Sequence, residues 1–267
     1  MTNGKRFLSF FLITAFVVAA GPAAAQTADV LVIHNSPDPA AEVVDVYLDG
    51  TLAVPGFAFQ TAGVVELPAG DQIEIGIAPG PGSEAADIIA TFPFTLTAGE
   101  SYVVMATGVL DSGLPSNPDG IDTGFTLVPF EGWRTSAAAG QVGLLLYHGA
   151  PDAPAVDVLA RDVGPLFEDV AFKEFSPAYV DVPADNYTVD VTVAGDPTAV
   201  AGSFTADLST LGGGAAVVFA SGYLAGSPAP FGVFAALPDG TVLQLPPTDT
   251  VSAEESSFGG LKADFTN

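Results

Sequence analysis

His34-Asn35-Ser36-Pro37-Asp38-Pro39-Ala40-Ala41-Glu42-Val43-Val44-Asp45-Val46 returns 114 residues later as His148-Gly149-Ala150-Pro151-Asp152-Ala153-Pro154-Ala155-Val156-Asp157-Val158. Each copy follows an apolar run, Leu31-Val32-Ile33 in one and Leu144-Leu145-Leu146-Tyr147 in the other. The two histidines are the only ones in the chain. Pro37 and Pro151 keep the spacing of 114, as do Asp38 and Asp152, whereas Asp45 and Asp157 stand 112 apart. The first copy therefore holds two extra residues between its aspartates. The correspondence continues through Phe57-Ala58-Phe59 with Val170-Ala171-Phe172, and through Val103–Leu110 with Val217–Leu224. A solenoid unit runs to roughly 20–50 residues; a period of 114 is the size of a domain. The chain reads as two homologous domains, 26–135 and 136–247, between an N-terminal segment 1–25 and an acidic tail 248–267. Each domain carries a full set of strand signals, so each is expected to fold when separated from the other.

Those signals are short and alternating. Ile73-x-Ile75-x-Ile77 and Val189-x-Val191-x-Val193 place apolar side chains on one face of a strand. Asp49-Gly50 is a hairpin turn, and Pro55-Gly56 marks an edge or a bulge. Apolar runs at 30–33, 44–48, 52–59, 63–67, 73–77, 88–96, 102–107 and 125–128 give about eight strands in the first domain, with turns every 8–12 residues. Val44, Val46 and Leu48 share one strand face, and Asp45 and Tyr47 the other. Helical periodicity is missing. The expected fold is all-β, two tandem antiparallel β-sandwich (immunoglobulin-like) domains. Gly132–Gly140 is the linker. It is short enough for the domains to touch, and the single Trp133 is a candidate for the contact.

The string His-x-x-Pro-Asp-Ala-Pro-Ala-Val-Asp-Val at 148–158 resembles the DUF4397 family of secreted bacterial and archaeal proteins. Leu-Asp-Gly-Thr at 48–51, Val-Pro-Gly-Phe at 54–57 and Leu-Pro-Ala-Gly at 67–70 share the resemblance. The first copy departs from the pattern at Pro39-Ala40-Ala41-Glu42, and the second replaces Gly70 by Asp185. The resemblance implies a β-rich extracytoplasmic domain. It carries over no catalytic residues.

Residues 1–25 have the form of a secretory signal peptide: Lys5 and Arg6, an apolar core from Phe7 to Ala20, and Ala23-Ala24-Ala25 before Gln26. The core is shorter than the roughly 20 residues of a bilayer span. The expected destination is secreted, cell-surface or periplasmic, with no membrane insertion after cleavage. Cysteine is absent, so packed cores must hold an exported protein together without disulfides.

The chain has 31 acidic and 6 basic residues; removal of Lys5 and Arg6 leaves four basic residues and a net charge of −27. Nucleic-acid binding needs Lys and Arg and is excluded on this count. Self-repulsion on this scale opposes a compact fold in dilute salt, and at about 1 M salt a Debye length of roughly 3 Å screens it. The acid excess fits a protein adapted to high salt.

His34 and His148 end a strand ahead of a Pro-Asp turn. A metal ligand or general base is one reading. The other is a structural imidazole that donates to a turn carbonyl or carboxylate and accepts from a backbone N–H, and the absence of a His or Cys companion favours it. Asp38, Asp45, Asp152 and Asp157 are the candidate metal ligands, with calcium the ion they would suit. They lack the dense Asp-x-Asp-x-Asp run of a calcium loop, and aspartates beyond a proline commonly accept backbone N–H groups. Pro37 and Pro151 complete the repeated, structural motif. Ser36 beside His34 suggests a hydrolase, but the second copy has Ala150 there, and no Gly-x-Ser-x-Gly elbow exists. No catalytic or cofactor-binding residue is assigned, and no enzyme is expected. The expected function is a structural or adhesive surface module whose partner is a protein or polysaccharide. A glycan- or calcium-dependent binding module is the alternative, with Tyr47, Tyr102, Phe125, Tyr179 and Tyr223 as candidate aromatic platforms.

Overall fold

The computed structural model describes residues 26–111 and 113–248. Residues 1–25, expected from the sequence to be a signal peptide, and the tail beyond Thr248 lie outside the described residues. The first domain runs β1 (Thr27–Asn35), β2 (Val43–Leu48), β3 (Thr51–Ala58), β4 (Thr61–Pro68), β5 (Gln72–Pro79), β6 (Ala90–Thr95), β7 (Ser101–Thr107) and β8 (Thr126–Glu131). The second runs β9 (Gln141–His148), β10 (Val156–Ala160), β11 (Gly164–Val170), β12 (Val180–Pro183), β13 (Asn186–Val193), β14 (Asp196–Asp207), β15 (Ala215–Ser221), β16 (Gly232–Ala236) and β17 (Val242–Gln244). Every apolar run read as a strand in the first domain forms one. No α-helix occurs among the described residues, and no helix there is long and apolar enough to cross a membrane.

The strands form four sheets. They are β4-β1-β7-β8 with β3-β2-β5-β6 in the first domain, and β12-β9-β15-β16-β17 with β11-β10-β13-β14 in the second. Each domain is thus a β-sandwich. The sheets are not wholly antiparallel: β1 pairs parallel with β7, and β9 with β15. Alternation reports which face of a strand is buried but not which way its neighbour runs, so the sequence could not show this. The Asp49-Gly50 turn closes the β2–β3 hairpin with both residues at positive φ, 48° and 76°, which glycine adopts without strain and aspartate tolerates. The register of β2 against β3 shifts twice around Val46, the bulge that Pro55-Gly56 foreshadows.

Three apolar layers hold the stack together. Val30, Val44, Ile75, Ile77 and Val104 face the interior of the first sandwich, and Leu144, Val156, Val189, Val191 and Phe204 that of the second. The third layer lies between the domains. On β1, Leu31 and Ile33 point away from the first sandwich. With Val103 and Met105 of β7 they meet Leu145, Tyr147, Val217 and Phe219 from β9 and β15. All eight are buried, none more than 1 % exposed. Strands buried on both faces need apolar residues at consecutive positions, which is why Leu31-Val32-Ile33 and Leu144-Leu145-Leu146 are unbroken. Burying one such side chain contributes about 1.5–3 kcal/mol, so the two domains share a core rather than a chance contact.

The linker is tied into this layer. Trp133 is buried in the shared core, with its backbone N–H and C=O both bonded to Ser101. The next residue, Arg134, pairs with Asp181 at 2.9 Å and lies over the Tyr179 ring at 5.0 Å, already within the second domain.

Candidate functional site

The repeated motif sits at one end of the stack, where β1 and β9 finish. His34 is the penultimate residue of β1 and is fully buried, beside the rings of Phe57 and Phe59 at 5.7 and 6.3 Å. Its Nε2 lies 2.7 Å from the carbonyl of Ala41, and its Nδ1 accepts a long, 3.4 Å bond from the Ser36 N–H. One nitrogen facing an acceptor and the other a donor fixes the neutral Nε2–H tautomer. Burial lowers the His34 pKa to about 4, against the pull of the Ala41 carbonyl. His148 repeats the arrangement: Nε2 to the Pro154 carbonyl at 2.9 Å, Nδ1 from the Ala150 N–H at 3.4 Å, and Phe172 at 6.2 Å. Burial also lowers its pKa. The two extra residues of the first copy are taken up by a 3-10 turn, Pro39–Ala41, so His34 reaches seven residues ahead and His148 six.

The first aspartate of each motif fastens a different loop. Asp38 accepts from Ala40 N–H through one oxygen, and from Leu110 and Asp111 N–H through the other, at 2.7 and 2.8 Å. Asp152 accepts from Leu224 and Ala225 N–H at 2.7 and 2.9 Å. Both therefore pin the chain just after it leaves the strand parallel to the histidine's own.

The second aspartate lies on the outer face of the other sheet. Asp45 is fully buried there, because the loop after Pro79 folds back over it. One oxygen accepts from Gly56 N–H at 2.7 Å, and the other from the N–H groups of Gly82 and Ser83 and from the Ser83 hydroxyl, at 2.8–2.9 Å. The Gly56 N–H first, and the other donors with it, hold this carboxyl below the usual carboxylate range despite burial. Gly80 makes the loop's approach feasible: a Cβ there would stand 2.9 Å from Asp45 Oδ1 and from the Val44 carbonyl carbon. Asp157 is the thinner copy, holding Asp169 and Gly195 N–H at 2.8 and 2.9 Å. Asp45 and Asp157 are not bonded to the histidines. Their partners lie 11 to 38 residues further on, in the irregularly paired neighbouring strand (Gly56 of β3, Asp169 of β11) and in the loops after Pro79 and Val193.

The other residues singled out in the sequence fall as follows. Ser36 is buried and donates to the Gly108 carbonyl at 2.6 Å, so its hydroxyl is engaged with backbone. Tyr47, Tyr102 and Tyr223 are buried and present no platform to a glycan; Phe125 and Tyr179 are packed against cores and only partly covered. Tyr223 is pushed up to about 12 by burial, with the carboxylates of Asp38, Asp152 and Asp111 adding to it. Among the described residues, no group of three or more His, Asp or Glu is placed to hold a metal ion.

A strap between the domains carries no motif that would mark it in the sequence. The long loop between β7 and β8 reaches across to the second domain's motif. Asn117 Nδ2 donates to the carbonyls of Pro151 and Ala153 at 3.1 and 2.9 Å, and Asp119 accepts from Ala155 N–H at 2.8 Å. In return Lys173 Nζ donates to the carbonyls of Asp122 and Gly124, both at 2.6 Å. The length of the gap from Asp111 to Asp122 was the one available signal.

No curated protein sequence matches the chain. A family model described as a domain of unknown function, DUF4397, matches twice, at residues 28–159 and 142–236. The two matches begin with β1 and β9, the strands that carry the repeated histidines. With two sandwiches, two copies of the motif and two matches over most of its length, the chain belongs to the DUF4397 family.

Proposed function

We propose that this protein is an exported, non-catalytic structural or adhesive module of the cell surface or secreted fraction, working in concentrated salt. The observation that supports this reading is the use made of the repeated motif. Both nitrogens of each histidine, and both oxygens of each aspartate, are occupied by backbone partners of the same repeat. A group held this way positions loops: each imidazole has its one proton and its one free lone pair engaged, and each carboxylate fastens two or more backbone N–H groups. The net charge of −27 after signal cleavage supports the saline setting. The partner would be a protein or polysaccharide of the envelope, and no cofactor is needed.

The test is co-sedimentation of the mature chain with envelope material of the producing cell at high salt, alongside a glycan array and a melting curve with and without chelator. Retention by the envelope, with a melting temperature indifferent to chelator, is the expected result. If chelator lowers the melting temperature of the wild type, but not of His34→Ala or His148→Ala, the motif is a metal site and the reading is wrong.

A further inference from the structure

Each sandwich holds a partly open apolar cavity between its two sheets, of about 350 Å³ in the first domain and 290 Å³ in the second. Repeat mates line them both: Val46 and Val158, Val104 and Val218, Ala106 and Ala220. The contrast with the layer between the domains is informative. There the central side chains are sealed, Leu31, Ile33, Leu145 and Phe219 having no exposed surface. Inside the first sandwich, Val32 and Val46 point inward from interior strands yet remain partly accessible, as do Val54, Val65 and Leu67 towards the β3/β4 edge. In the second, Val218, Leu237 and Leu245 behave likewise. The same chain therefore packs one apolar layer to closure and leaves the other two with room that solvent-sized molecules can enter.

The chemistry of the linings narrows the occupant. They are built almost wholly from Val, Leu, Ile, Ala and Phe, and their charged members are carboxylates, Glu66 in the first and Asp207 in the second. Glu66 and Asp207 are exposed at the margins of the linings, so a molecule with an anionic head at the cavity mouth would meet a like charge there and a chain with a net charge of −25 beyond it. An engineered apolar cavity of about 150 Å³ stays dry and takes up benzene; twice that volume suits an aliphatic chain of roughly ten carbons.

We propose that each domain is a binding site for one uncharged aliphatic chain, held between its two sheets, and that fatty-acid anions are excluded. This goes beyond the structural reading above and stands or falls independently of envelope retention. The probe is N-phenyl-1-naphthylamine, which is uncharged and fluoresces in apolar surroundings, titrated into the mature chain at high salt. Saturable uptake of two probes per chain is expected, with displacement by 1-decanol and at least roughly tenfold weaker displacement by decanoate. Val46→Phe and Val158→Phe, which fill the cavities, should each remove one of the two sites while the circular dichroism spectrum stays that of the wild type. Should a filling variant fail to fold, Val46→Ala enlarges the first cavity and should shift displacement towards longer alcohols. Uptake that does not saturate, a stoichiometry untouched by both filling variants, an Ala variant with unchanged chain-length preference, or decanoate competing as well as decanol would each overturn the proposal.

Discussion

Acidification from neutral pH should weaken this protein well before its carboxylates titrate, and His34 sets the amount. In the folded chain its pKa is about 4; in the unfolded chain it returns to about 6.5. Between those values the unfolded state binds more protons, so stability rises with pH across the interval. The contribution is complete above about pH 6.5 and is lost as pH falls towards 4. The full difference corresponds to about 3 kcal/mol, and about 2 kcal/mol of it is gone at pH 5. His148, lowered by the same cause, adds loss in the same direction. Asp45 does not contribute in this window. Its pKa lies below the usual carboxylate value, so its stabilisation persists until the pH drops beneath that range.

The competing effect is relief of acid–acid repulsion as carboxylates protonate, and about 1 M NaCl suppresses it beforehand. The assay is urea unfolding followed by circular dichroism in that salt, from about pH 7.5 down to about pH 5, for the wild type and His34→Gln. Glutamine can still donate to the Ala41 carbonyl but cannot take up a proton. The wild type should lose at least about 2 kcal/mol over the interval, and the variant about 2 kcal/mol less than the wild type. Equal pH slopes in the two proteins would refute a buried, neutral His34.

Four further outcomes are expected. Asp45→Ala strands the part-buried N–H groups of Gly56, Gly82 and Ser83 and should cost about 2–3 kcal/mol in urea unfolding; Asp157→Ala, with two exposed donors, should cost clearly less, and equal costs would count against the bonding described. The melting temperature should climb substantially between dilute buffer and about 1 M NaCl, and a flat response would mean that the acids are dispersed well enough not to repel. Fragments 26–135 and 136–248, made apart, should bind hydrophobic dye through the bared faces of β1 and β7 or β9 and β15, and should form a dye-silent one-to-one complex on mixing; two dye-silent monomers would show that the shared core is dispensable. Gly149→Ala should destabilise by about 1–3 kcal/mol through overcrowding, and Asn35→Ala should restore only part of that loss in the double variant, because the Ala220 carbonyl still stands 2.8 Å from the new Cβ; fully additive losses would place the strain at that carbonyl alone.

Much of this architecture can be read in the residues, for definite reasons. A duplicated His-x-x-Pro-Asp string survives because its parts act within one repeat, so both copies need them at nearly the same spacing. Alternation at Ile73, Ile75 and Ile77 gives away a half-buried strand. The run Leu144-Leu145-Leu146 reads only as an apolar strand; that both its faces are buried, and what covers the second, emerges from the packing of the two domains. The remainder depends on distant pairs. The partners of Asp45 lie on a neighbouring strand and in a loop up to 38 residues away, and Asn117 closes on Pro151 and Ala153 from the other domain. The parallel pairing of β1 with β7 follows from where the intervening five strands have gone, which no local pattern encodes.

The repeats are matched rather than merely similar, and the mismatches between them lie where they meet. Asn35 and Gly149 are repeat mates. Asn35 Nδ2 donates to the Ala220 carbonyl at 3.0 Å and occupies the space a Cβ on Gly149 would need; that Cβ would also stand 2.8 Å from the same carbonyl. Pairing two copies of the first repeat would put an asparagine into space already filled by another. Pairing two copies of the second would leave the space open and the carbonyl without its donor. The shared core follows the same rule, with Ile33 and Met105 from one repeat set among the larger Tyr147 and Phe219 of their mates. Buried volume and buried hydrogen-bonding groups penalise both kinds of self-pairing, and the short linker keeps the correct partner always at hand. The apolar face of each repeat is thereby committed within one chain. What the protein offers to other molecules is its acidic exterior and the interior of its two sandwiches.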